Sequence, residues 1–418
     1  MEIRSKLKNF ITNKWGDICR RSHYFLMGIP FVLVIGSIVL SVASVVRINQ
    51  VLDGQYLQYA AERFESKKMP YRMLTVLGPG LEQNDGSAPR KAESGLDVEK
   101  IQSIHDALDL TEKATVGNNK NSKNGTDAAN SGIVNVWEDC YSSVARYPAT
   151  GYMDKTPTGM VESCEVVGVS GNYQVVHPFS YESGGFLPGE DGDRYTVVLN
   201  TQLAWNLFHS YQVLGAFVEF NGTMYQIVGV VNEGTDAISE TTGVTKPRAY
   251  IPFKQLAYLA NGSAFPSMSS EMENSVKDTD LAVTCYEVLL TDPINNIAYN
   301  DLVDALQDTI GYSEDKSELL IINNTDRFNA ISLYKKYFPL KDSYVGGNGL
   351  NVPYYERSAR LAEQYVVFWA EALIVGILFL ILGSCNIYAI LHGSHTKHER
   401  QDEYEEEQEI SYFDQDMR

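Results

Sequence analysis

The sequence predicts an α+β extracytoplasmic domain of mixed β-sheets with short helices, in two lobes, between two transmembrane α-helices that extend outward as stalks. Three observations lead there. Two apolar runs, Tyr24–Val46 and Val366–Leu391, bracket a long polar middle. Each is long enough to cross a hydrocarbon core, which takes about 20 apolar residues as a helix. The middle alternates short apolar strand-like runs with short helical periods.

The elements follow in order. Residues 1–23 form a cytoplasmic amphipathic helix, with Ile3, Leu7, Phe10, Ile11, Trp15 and Ile18 at helical spacing and lysines opposite. A basic helix of this kind beside a span lies in the membrane interface. Residues 24–46 are the first span. Its flank carries Arg4, Lys6, Lys8, Lys14, Arg20 and Arg21 against Glu2 and Asp17, so both chain ends are expected in the cytoplasm of a bacterial plasma membrane. Residues 47–365 are then extracytoplasmic, residues 366–391 the second span, and residues 392–418 an acidic cytoplasmic tail. Ser37, Ser41 and Ser44 in the first span, and Ala372, Gly376 and Gly383 in the second, are small residues that let helices approach closely. Helical periods over Ile48–Phe64 and Tyr354–Gln364 predict a stalk on each span.

Within the outer domain, Val98–Leu110 reads as helix, and the Asn/Gly/Ser-rich stretch Gly117–Gly132 as a mobile loop. Strands are expected at Glu165–Val169, Thr196–Leu199, Phe217–Phe220, Met224–Val231, Arg248–Ile251, Tyr286–Leu290 and Leu319–Ile322. Asn221-Gly222 supplies the positive φ angles of a type I′ turn, which makes Phe217–Val231 a hairpin. Short helices are expected at Thr201–Phe208, Pro252–Leu259 and Asn300–Thr309.

A net charge of -19 argues against nucleic acid as a partner of this domain and favours a solvated acidic surface. Cys140, Cys164 and Cys285 fall outside the membrane. Cys140–Cys164 is the nearest pair for a disulfide, and there is no CxxC framework. Phosphate-loop, HExxH and GxSxG motifs are absent. No catalytic, cofactor-binding or metal-ligating residue is assigned, and the chain is not expected to be an enzyme. Three features are weighed instead. Glu371, inside the second span, is a functional candidate by default but lies beside the Tyr365/Phe368/Trp369 belt, within reach of water. His392, His395 and His398 recur every three residues, so a helix would spread them rather than converge them on a metal. The run Glu399–Glu409, with Tyr404 and Tyr412, reads as a solvated tail.

Several stretches, in order, resemble the MacB/FtsX-type ABC transporter permease family. Arg72–Gly80 resembles the first strand after the stalk, Val166–Phe208 the core of the outer domain, Gly215–Val231 the following hairpin, and Arg248–Leu256 the next strand-to-helix step. Gly383–Glu403 is similar to the family's membrane segment around an Asn. The resemblance implies a permease-like subunit of an ABC-type export or mechanotransmission complex, without a cofactor of its own. Implied partners are the membrane, a separate ABC ATPase, a further permease subunit and, as a homodimer, a second copy. Family members have two more spans and a basic docking segment. Here only two spans are found, and an acidic run stands at the docking segment. That departure motivates a second reading, a membrane-anchored binding or scaffold protein that has lost transport coupling.

Overall fold

The computed structural model describes residues 2–64, 69–78, 87–92, 94–119, 137–188, 195–234, 237–242, 246–261, 281–294, 296–313, 318–337 and 352–416, with backbone alone for 2–27, 112–119, 237 and 391–416. The chain forms two compact units. One comprises Met1–Gln50 with Tyr365–Arg418, the other Val51–Gln364.

The first unit consists of parts of two long helices, α1 (Glu2–Asp53) and α10 (Tyr354–Asp416). Stretches of both are apolar and long enough to cross a membrane. Their facing surfaces are the small-residue ones. A Cβ added at Gly376 would lie 2.7 Å from Ser41 Oγ, and one at Gly383 2.7 Å from Val34 Cγ2 and 3.3 Å from the Pro30 carbonyl. The Ser44 hydroxyl donates to the Leu40 carbonyl at 2.8 Å, satisfying itself within its own helix. Large side chains such as Val32 and Val39 point outward. Glu371 is exposed on α10. The side chains of Trp15, the three histidines and the acidic tail lie outside the described residues, although the backbone there is helical.

The second unit is built on one ten-stranded sheet, where the sequence predicted several mixed sheets in two lobes. Its strands are β1 (Tyr71–Leu77), β2 (Glu138–Met153), β3 (Thr156–Gly171), β4 (Ser180–Gly184), β5 (Thr196–Asn200), β6 (Phe217–Phe220), β7 (Thr223–Asn232), β8 (Arg248–Pro252), β9 (Cys285–Thr291) and β10 (Leu320–Asn323). The main path runs β10-β1-β9-β2-β3-β8-β5-β7-β4, with β6 pairing β2 and β7. Two pairings are parallel, β3 with β8 and β5 with β7; the rest are antiparallel.

Alternation along the strands gives the sheet two different faces. Val166, Ala249 and Ile251 belong to an apolar core that helices α3 (Val98–Asn119), α5 (Thr201–Phe208), α7 (Phe253–Ala260) and α8 (Ile297–Ile310) complete with Leu108, Leu203, Leu256 and Leu302. Val167, Tyr250, Met73 and Leu289 face the other way, with Leu57, Ala60 and the start of α10. This second face also carries Glu165, Arg248 and Glu287, at alternating positions of otherwise apolar strands. Cys140 and Cys164 lie in the cores of opposite faces, and both are free thiols with Cys285, so the nearest pair in sequence forms no disulfide.

The Asn221-Gly222 hairpin has the expected turn, with φ of 46 and 84. The longest hairpin, β2–β3, is largely unexpected. Pro148 sits where the register shifts between Tyr147 and Ala149, a bulge that needs no amide from it. Asp154 and Lys155, both at positive φ, make its turn. The first stalk differs from expectation. Helix α1 stops at Asp53, a 3-10 turn follows at Tyr56–Gln58, and α2 spans only Ala60–Phe64. The apolar period of Ile48–Phe64 therefore continues through a break at Gly54, and a proline at Tyr56 would interrupt no long helix. The second stalk is helical as expected, since α10 runs unbroken from Tyr354. Part of Gly117–Gly132 closes α3, and the remainder lies outside the described residues.

Three outcomes test this packing. A Cβ at Gly159 would lie 2.6 Å from the Leu207 carbonyl and 2.9 Å from that of Asn206, both backbone atoms. Gly159→Ala should destabilise the outer domain by about 1–3 kcal/mol in denaturant unfolding. Gly185→Ala, with nothing within 4 Å, should be near neutral. In a Cys385→Ser background, the pair Ser41→Cys and Gly376→Cys should form an intramolecular disulfide under mild oxidation, read by mass spectrometry.

Candidate functional site: a buried ionic root at the start of α10

The first three turns of α10 lie within the outer unit, on the sheet's polar face. Tyr354, Tyr355, Glu356, Arg357, Ser358 and Glu363 are all nearly inaccessible to solvent. A helix with charges at i, i+1 and i+4 can be buried on most sides only if every charge meets a partner. Three networks supply them.

The first is centred on Arg248, at the head of β8 and 0% exposed. Glu165 is its register partner on the neighbouring parallel strand β3. Arg248 Nε and Nη2 donate to Glu165 Oε2 at 3.1 and 2.7 Å, and its Nη1 to Glu233 Oε2 at 2.5 Å. Arg357 of α10 donates from Nη2 to the same Glu165 oxygen at 2.8 Å. Tyr250 and Asn200 also donate to Glu233. Tyr354 closes the group. Its ring lies against the Arg248 guanidinium, 4.4 Å from centroid to Cζ, and its hydroxyl donates to the Glu233 carbonyl at 2.9 Å. Two guanidiniums thus face two carboxylates. Burial alone would raise the Glu165 carboxyl, but Arg248 and Arg357 outweigh it and hold it well below the usual range. Burial wins at Glu233, which is raised despite Arg248.

The second network holds the helix's other flank. Arg327, in the loop after β10, makes a bidentate pair with Glu356 at 2.6 and 3.1 Å and reaches Glu363 at 2.5 Å. Arg360 closes on Glu356 at 2.8 Å from the next turn of the helix. Tyr337 and Lys336, from α9 (Ala330–Tyr337), also bond to Glu363.

The third group lies between them and contains no arginine or lysine. Glu287 of β9 accepts from His177 Nε2 at 2.6 Å and from the Tyr355 hydroxyl at 2.7 Å, both on Oε2. Thr75 donates to Oε1 at 3.4 Å, and the Cys140 thiol lies 3.8 Å from Oε2. The His177 ring stacks on Tyr355 at 4.1 Å. His177 follows α4 (Tyr173–Val176), whose last turn its amide caps. On the N-terminal side, Gln55 donates to Ser358 at 3.1 Å and Gln58 to the Tyr355 carbonyl at 3.3 Å.

This arrangement binds and orients one helix. Among the described residues it brings no nucleophile and base together at an open cleft. Sequence reasoning placed Tyr354–Gln364 correctly as helix but assigned a role to none of Glu165, Arg248, Glu233, Glu287 and Arg327. A signal was present. Glu165, Glu287 and Arg72 are single charges inside apolar strand runs, where a charge has to be paired.

Breaking the first network should be severe. Arg248→Ala leaves Glu165 and Glu233 buried without their cation, and should cost about 3–5 kcal/mol in denaturant unfolding. The pH dependence has a definite sign. A carboxyl depressed in the folded state stabilises above its unfolded value of 4.5, and that contribution fades as pH falls through the folded value. The loss of stability on acidification below about pH 4.5 should therefore be shallower in Glu165→Gln than in the unmodified chain, measured by thermal unfolding against pH.

The family described as MacB-like periplasmic core domain matches residues 31–284, more than half of the chain. The periplasmic region of MacB from Actinobacillus actinomycetemcomitans is 15% identical, with a TM-score of 0.36, over 62% of this chain and 92% of that one. The extracellular domain of the noncanonic ABC-type transporter YknZ from Gram-positive bacteria is 14% identical, with a TM-score of 0.35, over 60% and 100%. No curated protein matches. On the family match, this chain belongs to the MacB-like periplasmic core domain family.

Proposed function

We propose that the chain is a permease-like membrane subunit of an ABC-type export or mechanotransmission complex. Its outer domain, residues 47–365, is coupled to the membrane through α10. The observation that carries this reading is the rooting of α10. The helix is unbroken from Tyr354 to Asp416, and its first turns are fixed in the sheet domain by directional, charge-assisted bonds. An apolar contact would let a helix slide between neighbouring registers; bidentate and stacked pairs accept one position only. Displacement of the helix is then passed to strands β3, β8 and β9 rather than lost in the joint. Family membership supports the same reading. Hydrolysis of ATP is assigned to a separate ATPase subunit, and a further permease subunit or a second copy is the other partner on this reading. Both chain ends lie in the cytoplasm of a bacterial plasma membrane on this proposal, as the basic flank of the first span indicates.

The test is gentle-detergent co-purification of the tagged full chain from its native membrane, with mass spectrometry of what accompanies it. An ABC ATPase is the expected companion. Recovery of the chain alone, or with outer-surface proteins only, would instead make it an anchored binding protein without a motor.

A further inference from the structure

The third group of the root differs from the other two in its charge balance. Glu165, Glu233, Glu356 and Glu363 each meet an arginine. Glu287 is 1% exposed, and its side-chain partners are a histidine, a tyrosine, a threonine and a thiol. Among the described residues no permanent cation touches it. A buried carboxylate needs a counter-charge, because ionisation in a dry interior is otherwise too costly.

The surrounding donors are those of a borderline metal. One atom each from Cys140, His177 and Glu287 lies within 4.8 Å of the others, and all three residues are buried. They come from three separate places, β2, the turn after α4, and β9, so no local motif announces them. Cys140 and Glu287 are direct register partners in the antiparallel β2/β9 pair and so share a face. His177 turns its Nε2 toward Glu287, and its Nδ1 is buried on the other edge of the ring. Sizes agree too. Tetrahedral zinc, with bonds of about 2.0–2.1 Å to N or O and about 2.3 Å to S, sets N and O about 3.3 Å apart and S and O about 3.6 Å apart. The N–O and S–O pairs here are 2.6 and 3.8 Å, and all three atoms lie within 4.8 Å of one another, so closing on an ion takes an opening of the His177–Glu287 pair by several tenths of an ångström and an approach of Cys140 and His177 to the same centre.

We infer that Cys140, His177 and Glu287 form a buried binding site for a divalent cation of the zinc type, closed by Tyr355 at the root of α10. Thiolate and carboxylate together neutralise a divalent ion, and a neutral imidazole completes the set. Binding releases the Cys140 proton to solvent. Without a cation, burial and the nearby Glu287 push that thiol up and keep it protonated. The site shares the Tyr355–Glu287 bond with the root of α10 but takes no part in the two arginine networks, and cobalt binding is read without reference to the proposed transport role.

The test uses the reduced full chain in detergent, carrying no histidine tag, stripped with chelator and then loaded with cobalt(II) alone. The expected result is about one tightly held cobalt per chain with a thiolate-to-cobalt charge-transfer band. Cys140→Ala should abolish the band, and Cys385→Ala should leave it. Absence of the band in the unsubstituted chain, or its survival in Cys140→Ala, overturns the proposal. Should Cys140→Ala fail to fold, the unsubstituted chain still decides: zinc must raise the thermal unfolding temperature of the stripped protein, and no rise refutes the site.

Discussion

The Arg248–Glu165 pair is the constraint around which the outer domain is arranged. Both residues stand on the same face of adjacent parallel strands, and both are buried. Two carboxylates reach the single Arg248 guanidinium, so a second cation is needed, and the second one comes from α10 as Arg357. That requirement fixes which turn of the helix meets the sheet and at what rotation. Once Arg357 is placed, Tyr354 falls against Arg248 and Tyr355 against Glu287, while Glu356 turns to Arg327.

Energy alone does not explain such a face. Desolvating an ion pair costs about as much as the pair returns, and apolar side chains of similar volume would often serve stability as well. The opposite face of the same sheet shows that apolar solution, with four helices packed through leucines. The contrast within one sheet argues that the polar face is built for position. The two connections to the apolar helices differ accordingly. On the N-terminal side the helix ends at Asp53, and Gln55 and Gln58 attach to α10 through neutral hydrogen bonds. On the C-terminal side the helix is continuous, and its bonds are charge-assisted.

Much of the fold was legible because local rules agreed with global ones. Asn221-Gly222 forced a turn, and β5–α5 and β8–α7 each switch from a strand run to a helical period within one or two residues. Asn200 strengthens the first switch by capping α5 through the Leu203 amide. The β2–β3 hairpin was hidden because Pro148, Gly151, Pro157 and Gly159 read as breakers, whereas the structure uses proline at a bulge and Gly159 where β3 approaches α5 closely. The break at Gly54 was hidden for the opposite reason. Apolar residues continue at helical spacing across it, so periodicity outvoted the Asp53-Gly54 turn signal.

The root of α10 was only half legible, and the reason is physical. A helix is a local object, so Tyr354–Gln364 could be found from its own residues. A charge network is not local: Arg248 meets Glu165 across 83 positions and Arg357 meets it across 192. What a single sequence does carry is the anomaly at each end. A lone glutamate in an apolar strand and an arginine-rich helix flanked by tyrosines are each unfavourable to bury alone. The two anomalies resolve each other when the helix lies on the strand. Counting them also bounds the answer. Glu165 and Glu233 are matched by Arg248 and Arg357, and Glu356 and Glu363 by Arg327 with Arg360 and Lys336. Glu287 is left over, and it is beside Glu287 that the thiol and the imidazole gather.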